Sequence, residues 1–325
     1  MTQFTRLPRL NHRVAGFTAV LAFIAMLLMP NALAAQTPGA GEPLHVVASF
    51  SVLGDLVKDV GGDAVQVTTL IGPGVDAHTY DPAPSDLVVL EGADVVFENG
   101  LGFEPWLDRF FESAQPSAAR IVVSEGITPR TIDDETAESA QEAQQHGGVD
   151  PHVWHDAANA IVMVGNIRDA LVSADPAHAD RYEANATATI ARFQELDAWI
   201  REQVAILPQD RRKLVTSHDT FGYFADAYGF EIIGTALGSL STEAGDPSAR
   251  DIGLLVEEIA AAGVPAIFAE NVANPDLMTA IAAEAGVQLA PTLYTDALGP
   301  AGSPGETYDG MMRSNVMTIV DALKG

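Results

Sequence analysis

Short runs of β-branched and other apolar residues alternate with amphipathic segments along the chain from about residue 44. In the first half, four such runs predict strands, and the segments that follow them predict helices. The predicted strands cover residues 44–49, 64–71, 93–97 and 120–123, and the predicted helices cover residues 52–60, 86–91, 105–113 and 157–173. Strands that alternate with helices are typical of α/β folds with mainly parallel sheets.

One long amphipathic segment separates the two halves of the chain. It opens with Asp175, a plausible N-cap, and Pro176, which suits the first helical turn, and it runs to about residue 207. Its apolar residues recur at spacings of mostly three and four, which places them on one face; they are Tyr182, Ile190, Phe193, Leu196, Ile200 and Val204. At ~1.5 Å per residue this helix spans ~45 Å, enough to run the length of two domains.

The second half repeats the pattern of the first. Further strands are predicted at residues 213–217, 231–236, 266–269 and 287–290, with a last helix at residues 308–323. The chain is therefore predicted to be an α/β protein of two lobes, each a small, mainly parallel sheet flanked by helices, joined by one long rigid linker helix. The predicted boundaries are an N-terminal lobe at residues 35–174, the linker helix at 175–207 and a C-terminal lobe at 208–325.

The first 34 residues have the pattern of an export signal. Arg6, Arg9 and Arg13 form a basic leader, residues 15–29 are apolar, and Ala32-Leu-Ala34 supplies the small-x-small pattern of a cleavage site. The alternative is a membrane anchor, but the apolar run is short for a span of ~20 residues. We expect a cleaved signal peptide at residues 1–34.

Composition narrows the class of protein further. The chain has no cysteine, which excludes disulfides and thiolate metal sites and leads us to expect no lipid anchor. Its formal net charge of −27 at pH 7 opposes binding to phosphate backbones, so nucleic acid is a poor partner. These features indicate a periplasmic protein.

Residues 127–149 differ from their surroundings, since they combine several carboxylates with almost no large apolar residue. This composition predicts a mobile acidic loop. Its single histidine, His146, is open to two interpretations: transient recruitment of a metal, or a place in a solvated spacer.

Three histidines follow predicted strands or precede a helix in loops, where ligands bind in α/β sheets. His78 follows the second strand, His152 lies between the acidic loop and a helix, and His218 follows the strand at residues 213–217. Each alone is more typical of a surface histidine. Together with Asp296, which by itself would be read as a turn or helix cap, they offer the three imidazoles and one carboxylate of a tetrahedral Zn²⁺ site.

The remaining candidates are weaker. Glu270 ends a predicted strand, where it would orient a ligand or form a salt bridge between the lobes. His155 is interpreted as a surface histidine, with a role beside the site or at its entrance as the alternative. His45 is expected in the first strand and His178 on the solvent side of the long helix.

Several motifs in one order carry a resemblance to a known family. They are Asp150-Pro-His-Val-Trp154, His78-Thr-Tyr-Asp-Pro82, Asn99-Gly-Leu-Gly-Phe-Glu-Pro-Trp106, the Asp175-Pro helix, His218-Asp-Thr-Phe-Gly-Tyr-Phe224 and Tyr294-Thr-Asp296. With these, the whole chain after the leader resembles the ZnuA/TroA-like (cluster A-I) solute-binding proteins of zinc and manganese ABC importers.

The resemblance implies a role for each matched residue. It places His78 and His152 as ligands from the N-terminal lobe. It places His218 and Asp296 as ligands from the C-terminal lobe, with His218 at a position that is His or Glu in the family. Histidine at the third position favours Zn²⁺ as the transported ion, with Mn²⁺ as the alternative. The implied partners are a membrane permease powered by an ATPase and, as a second partner to consider, a metallochaperone. A monomer is expected.

Two other classes of function compete with this interpretation. A zinc hydrolase would need an open metal position and a general base, and the sequence contains neither a His-Glu-x-x-His nor a Gly-x-Ser-x-Gly motif. An adhesion protein would need an attachment device, which the sequence does not reveal. We therefore expect a binding protein and not an enzyme.

Overall fold

A computed structural model describes residue 1 and residues 42–131, 148–243 and 247–324 of the chain. The predicted signal peptide and most of the predicted acidic loop, including His146, lie outside these residues. Among the helices in the described ranges, none combines the length and the apolar character that crossing a membrane requires.

The N-terminal lobe is built on four parallel strands. These are β1 (Leu44–Phe50), β2 (Val65–Ile71), β3 (Val95–Glu98) and β4 (Ala119–Val122), in the order β2-β1-β3-β4. Four helices belong to this lobe: α1 (Ser51–Gly61), α2 (Pro84–Glu91), α3 (Leu107–Ala114) and α4 (Ala157–Ala174). The central strands β1 and β3 are almost entirely buried, as expected for apolar strands covered on both faces.

The long helix is shorter at both ends than residues 175–207. A 3₁₀ turn over Pro176–His178 precedes α5 (Ala179–Val204). The carboxylate of Asp175 accepts hydrogen bonds from the His178 ring and the Tyr182 hydroxyl, so this acidic residue fixes the entry of the helix through side chains. The buried face of α5 packs against α1 and α4; it comprises Tyr182, Ala186, Thr189, Phe193, Leu196, Ile200 and Val204.

The C-terminal lobe contains two parallel strand pairs. Strand β5 (Lys213–Thr216) pairs with β6 (Glu231–Thr235), and β7 (Ala266–Glu270) pairs with β8 (Gln288–Leu293). Strands β5 and β7 lie side by side. The helices of this lobe are α6 (Gly222–Tyr228), α7 (Ala249–Ala262), α8 (Pro275–Ala285) and α9 (Tyr308–Leu323), and α9 also packs on α5. The predicted fold class, two α/β lobes with parallel sheets and a long connecting helix, is confirmed.

The lobes meet around Trp154, which is fully buried. Its indole Nε1–H donates to the carbonyl of Thr295 at 3.1 Å, and its own carbonyl accepts from the hydroxyl of Tyr308 at 2.8 Å. The backbone N–H of Leu298 donates to the hydroxyl of Ser51 at 2.9 Å. These contacts bring the loop after β8 against the carboxyl end of β1, and that is where the candidate site lies.

Candidate metal centre

The structure brings the four predicted site residues together. Four potential ligand atoms, one from each residue, lie within 4.8 Å of one another, and all four side chains are buried. The residues are His78, His152, His218 and Asp296. The Nε2 atoms of His78 and His152 are 3.4 Å apart. Asp296 Oδ2 lies 3.3 Å from His78 Nε2 and 3.0 Å from His218 Nε2, while its Oδ1 lies 3.7 Å from His152 Nε2. Neighbouring ligands of a tetrahedral ion with bonds of ~2.1 Å are about 3.4 Å apart, so these spacings fit such an ion.

The fold delivers each side chain from the carboxyl end of a strand or from a turn nearby. His78 lies in the loop after β2, His218 two residues after β5, and Asp296 three residues after β8. His152 precedes a 3₁₀ turn, Val153–His155, that leads into α4. Parallel strands place their carboxyl ends at one edge, so residues far apart in sequence meet there.

Two carboxylates outside the cluster orient two of the imidazoles. His152 Nδ1 lies 2.8 Å from Asp150 Oδ1, and His218 Nδ1 contacts Glu270 Oε2. An imidazole that donates its Nδ1–H to a carboxylate presents the Nε2 lone pair on the opposite side of the ring. Both rings therefore turn Nε2 toward Asp296, which is the orientation that metal binding requires.

The two orienting carboxylates are themselves anchored. Glu270 Oε1 accepts from the backbone N–H groups of Ser217 at 2.7 Å and His218 at 3.0 Å. Asp150 Oδ1 accepts from the backbone N–H of His152 at 2.9 Å, and its Oδ2 lies 3.4 Å from the guanidinium of Arg130. Burial raises the pKa of Asp150 to about 7, although the contacts with His152 and Arg130 lower it. The carboxylates hold the ligand backbone as well as the ligand rings.

The cluster has a distinct charge distribution in the absence of a metal. Burial lowers the pKa of His218, but the carboxylates of Glu270 and Asp296 outweigh this and raise it well above its ordinary value. Burial raises the pKa of Asp296, yet the neighbouring His218 and His152 hold it well below the usual range. Both directions favour the charged forms, an ionised Asp296 and a protonated His218, in the metal-free protein.

Aromatic rings close the site on the side of the N-terminal lobe. The Phe103 ring lies edge-on to His78 at 5.1 Å between centroids and packs on His152 and Trp154. Phe103 follows a tight turn in which Leu101 has a positive φ of 57°. The buried carboxylate of Glu104 holds this turn by accepting from the backbone N–H groups of Asn99 and Gly100 and from the Ser49 hydroxyl. The wall helps to bury the candidate ligand residues, and electrostatic interactions are stronger in a buried, low-dielectric environment.

The structure also tests the predictions for Glu270 and for three further histidines. Glu270 orients His218, and its contacts among the described residues stay within its own lobe, so the interpretation as an inter-lobe salt bridge is wrong. The interpretation of His155 as a surface residue is also wrong: its ring is fully buried against Phe221, and burial lowers its pKa to about 3. His45 lies on β1, as predicted, and is exposed there. His178 lies in the turn before α5 and not on the helix itself.

Sequence reasoning missed three residues that support the site. They are Asp150, which orients His152; Phe103, which packs on two candidate ligands; and Thr220, whose hydroxyl donates to Asp296 Oδ1 at 3.3 Å. Asp150 had a local signal, because it lies two residues before His152 in the same motif. Thr220 and Phe103 also lie in motifs named above, but the residues that they contact, Asp296 and His78, are distant in sequence.

The fold and the site define a two-lobed α/β protein with a buried set of metal-type ligands contributed by both lobes. The family described as ZnuA, the periplasmic zinc-uptake complex component A, matches residues 46–322. The chain therefore belongs to this family of metal-binding, substrate-binding proteins of ABC transporters.

Individual relatives agree with this assignment. The manganese-binding lipoprotein MntA of Halalkalibacterium halodurans is 39% identical over 284 residues, which cover 87% of this chain and 89% of that protein. The iron-binding protein YfeA of Yersinia pestis is 33% identical over 320 residues, 96% of this chain and 98% of that protein. The structure of the periplasmic zinc-binding protein TroA from Treponema pallidum aligns with a TM-score of 0.78 at 33% identity, covering 87% of this chain and 99% of TroA. These three proteins are named for three different metals.

Proposed function

We propose that this protein captures Zn²⁺ outside the cytoplasm and delivers it to the permease of an ABC importer. His78, His152, His218 and Asp296 are the proposed ligands. The observation that carries the proposal is the convergence of three imidazole Nε2 atoms on one buried carboxylate, at spacings of 3.0–3.7 Å. Imidazole nitrogen suits zinc, and three such donors with one carboxylate are a common zinc environment.

Four protein ligands support capture rather than catalysis. A catalytic zinc keeps a coordination position open for water or substrate, whereas a site closed by four side chains holds the ion as cargo. The burial of all four residues supports the same interpretation. A zinc hydrolase is therefore the weaker hypothesis, and an adhesion protein has no supporting feature among the described residues.

The proposed capture step follows from the orientation of the rings. His152 Nδ1 is hydrogen-bonded to Asp150 and His218 Nδ1 contacts Glu270, so the Nε2 atoms of both rings face the incoming ion without a rotamer change. His218 must lose its proton before its Nε2 can bind the ion. Asp296 supplies the negative charge that offsets loss of the ion's hydration shell. Release then requires the ligands of the two lobes to separate, because neither lobe alone holds more than two of them.

Manganese is the second candidate, and one geometric observation favours it. Both oxygens of Asp296 face the imidazoles, Oδ2 toward His78 and His218 and Oδ1 toward His152, so the carboxylate can offer two oxygen ligands. Manganese prefers a larger share of oxygen ligands than zinc. The 39% identical relative named for manganese adds support to this alternative.

The metal carried after export distinguishes these candidates. We expect protein recovered from the periplasm of cells grown with equal Zn²⁺ and Mn²⁺ to contain one zinc per chain by mass spectrometry, and to prefer zinc in vitro by at least about 100-fold. A predominance of manganese in the recovered protein would make manganese the cargo. If neither metal reached one equivalent per chain, the proposal would be rejected.

Affinity for Zn²⁺ should depend on pH over a higher range than an ordinary histidine predicts. Glu270 and Asp296 raise the pKa of His218 well above the usual value, which favours its protonated form in the metal-free site, and zinc binds only the neutral ring. Below that raised pKa, each fall of one pH unit should weaken binding by about tenfold. Dissociation constants at pH 6, 7 and 8, with proton release in weak buffer, would test this; an affinity unchanged from pH 6.5 to 8 would contradict it.

Location and assembly form part of the same proposal. We place the mature protein in the periplasm as a monomer of two lobes, residues 35–174 and 208–325, connected by the helical segment 175–207, with the permease as its partner and a metallochaperone as a second one to consider. Homologous MntA is named a lipoprotein, whereas this sequence contains no cysteine to carry a lipid. The proposed location therefore does not rely on a lipid anchor.

A further inference from the structure

The carboxylate of Asp76 joins the loop of one candidate ligand to the opposite lobe. Within the loop at residues 72–80, Asp76 Oδ1 accepts from the backbone N–H of His78 at 2.9 Å, and Oδ2 accepts from the hydroxyl of Thr79 at 3.1 Å. The same Oδ2 also accepts a hydrogen bond from the hydroxyl of Thr242, which belongs to the C-terminal lobe. One side chain thus shapes the His78 loop and ties it across the cleft.

Thr242 lies on a segment that runs beside His218. We name residues 236–243 the strap. The backbone N–H groups of Ala236 and Leu237 donate to the carbonyls of Thr216 and Ser217, and the strap's Ser239 carbonyl accepts from the N–H of Asp219 at 2.7 Å. These bonds are on both sides of His218, so the strap and the ligand move together.

The strap has its own internal support up to Thr242. The hydroxyl of Ser239 accepts from the backbone N–H of Ser241, and the hydroxyl of Ser241 accepts from the backbone N–H of Glu243. Both serines are buried. Short turns stabilised by serine side chains hold a defined backbone shape, which fixes where the Thr242 hydroxyl lies.

A second contact connects the same two parts of the molecule. The backbone N–H of Gly74, in the loop at residues 72–80, donates to the carbonyl of Leu298 at 3.0 Å, two residues beyond Asp296. The loop that carries His78 is therefore tied to both C-terminal ligand segments, through Thr242 to the strap and through Leu298 to the Asp296 loop.

From this arrangement we infer that Asp76 and Thr242 form a latch between the lobes that holds His78 against His218 and Asp296 and slows release of the bound metal. The inference rests on the proposed function for its cargo. Neither residue contacts the ligand atoms, so both act as positioning residues. A hydrogen bond to a carboxylate is stronger than one between neutral groups, and the latch must break before the loop can separate from the strap.

The chain provides a matched pair of substitutions for a test. Thr242→Val and Thr79→Val each delete one hydroxyl that donates to Asp76 Oδ2, but only the first deletes a bond between the lobes. Protein loaded with Zn²⁺ is mixed with excess chelator. We expect Thr242→Val to release the ion about tenfold faster, equivalent to about 1.4 kcal/mol, and Thr79→Val to stay within about twofold of the unmodified protein.

Two further variants separate the latch from general damage to the fold. Thr242→Ser keeps the hydroxyl and should restore slow release. Asp76→Asn keeps an oxygen for the His78 N–H while removing the charged acceptor, so it should accelerate release as Thr242→Val does. Equal release rates for Thr242→Val and the unmodified protein, or equal acceleration by Thr79→Val, would overturn the latch.

Hydrogen exchange in metal-free protein tests the latch independently of the cargo. Amides of the loop at residues 72–80, Gly74 included, should exchange faster in Thr242→Val than in Thr79→Val, because the loop separates from the strap more often. Identical exchange in the two variants would reject the latch even if zinc bound normally. Faster exchange in Thr242→Val, in a protein that bound no zinc, would support the latch while the proposed function failed.

Discussion

Replacing His218 by alanine should weaken Zn²⁺ binding by at least about 1000-fold, or about 4 kcal/mol. Substitutions of residues that only orient a ligand cost roughly 10–100-fold in affinity, and the loss of a ligand itself should cost more. The substitution removes the only imidazole that the C-terminal lobe adds to the proposed ligand set. Asp296 and Glu270, both buried, then lose the ring that lies between them. Competition with a chelator of known affinity would measure the loss.

His45→Ala is the matched control for this variant. His45 is exposed on β1, outside the cluster, so its removal should leave the affinity within about twofold of the unmodified protein. Far-UV circular dichroism must show that the metal-free His218→Ala protein is folded. Retention of affinity within about tenfold by a folded variant would remove His218 from the ligand set.

Removing the metal should lower the melting temperature by about 10 °C. The reference is protein in a free Zn²⁺ concentration of about 1000 times the dissociation constant. Binding at that concentration contributes about 4.1 kcal/mol, since the ion binds the folded chain at a site that the unfolded chain lacks. In a protein of this size each kcal/mol corresponds to about 2–4 °C. Differential scanning calorimetry with and without a chelator would measure the shift.

Magnesium provides the control ion for the melting experiment. Mg²⁺ prefers octahedral oxygen coordination and gives up its water reluctantly, so a buried site of three imidazoles should not hold it. An equal rise in melting temperature with Mg²⁺ would indicate general screening of the acidic surface. No rise with either Zn²⁺ or Mn²⁺ would contradict a metal site at these four residues.

Much of the fold could be predicted because its determinants are local. Strand β1 and α9 lie within one residue of their predicted ends, since a continuous apolar run and a helical repeat mark them without help from distant residues. The predicted long helix begins four residues before α5 and ends three residues after it. Its first turn is 3₁₀, with Asp175 bonded to side chains, and its last residues, Ala205 to Leu207, already turn toward Pro208.

What could not be predicted depends on residues that meet only in the fold. Glu270, at the end of β7, accepts hydrogen bonds from the backbone N–H groups of Ser217 and His218, which lie 53 and 52 residues away, just after β5. The burial of His155 is set by Phe221, which its sequence neighbours do not reveal. The candidate ligand set could be proposed from the sequence because histidines that follow strands are informative by position, while Glu270, which orients His218, is found only through a contact 52 residues away.

The raised pKa of His218 has a consequence for the metal-free state of the protein. The His218 ring lies between Glu270, at Nδ1, and Asp296, at Nε2, and these two carboxylates raise its pKa well above the ordinary value. A proton on His218 would offset part of the negative charge left when the ion departs, since it supplies one positive charge where a divalent ion supplies two. Partial compensation of this kind suits a carrier that is emptied in each cycle, in contrast to small zinc-dependent domains, which unfold when the metal is removed.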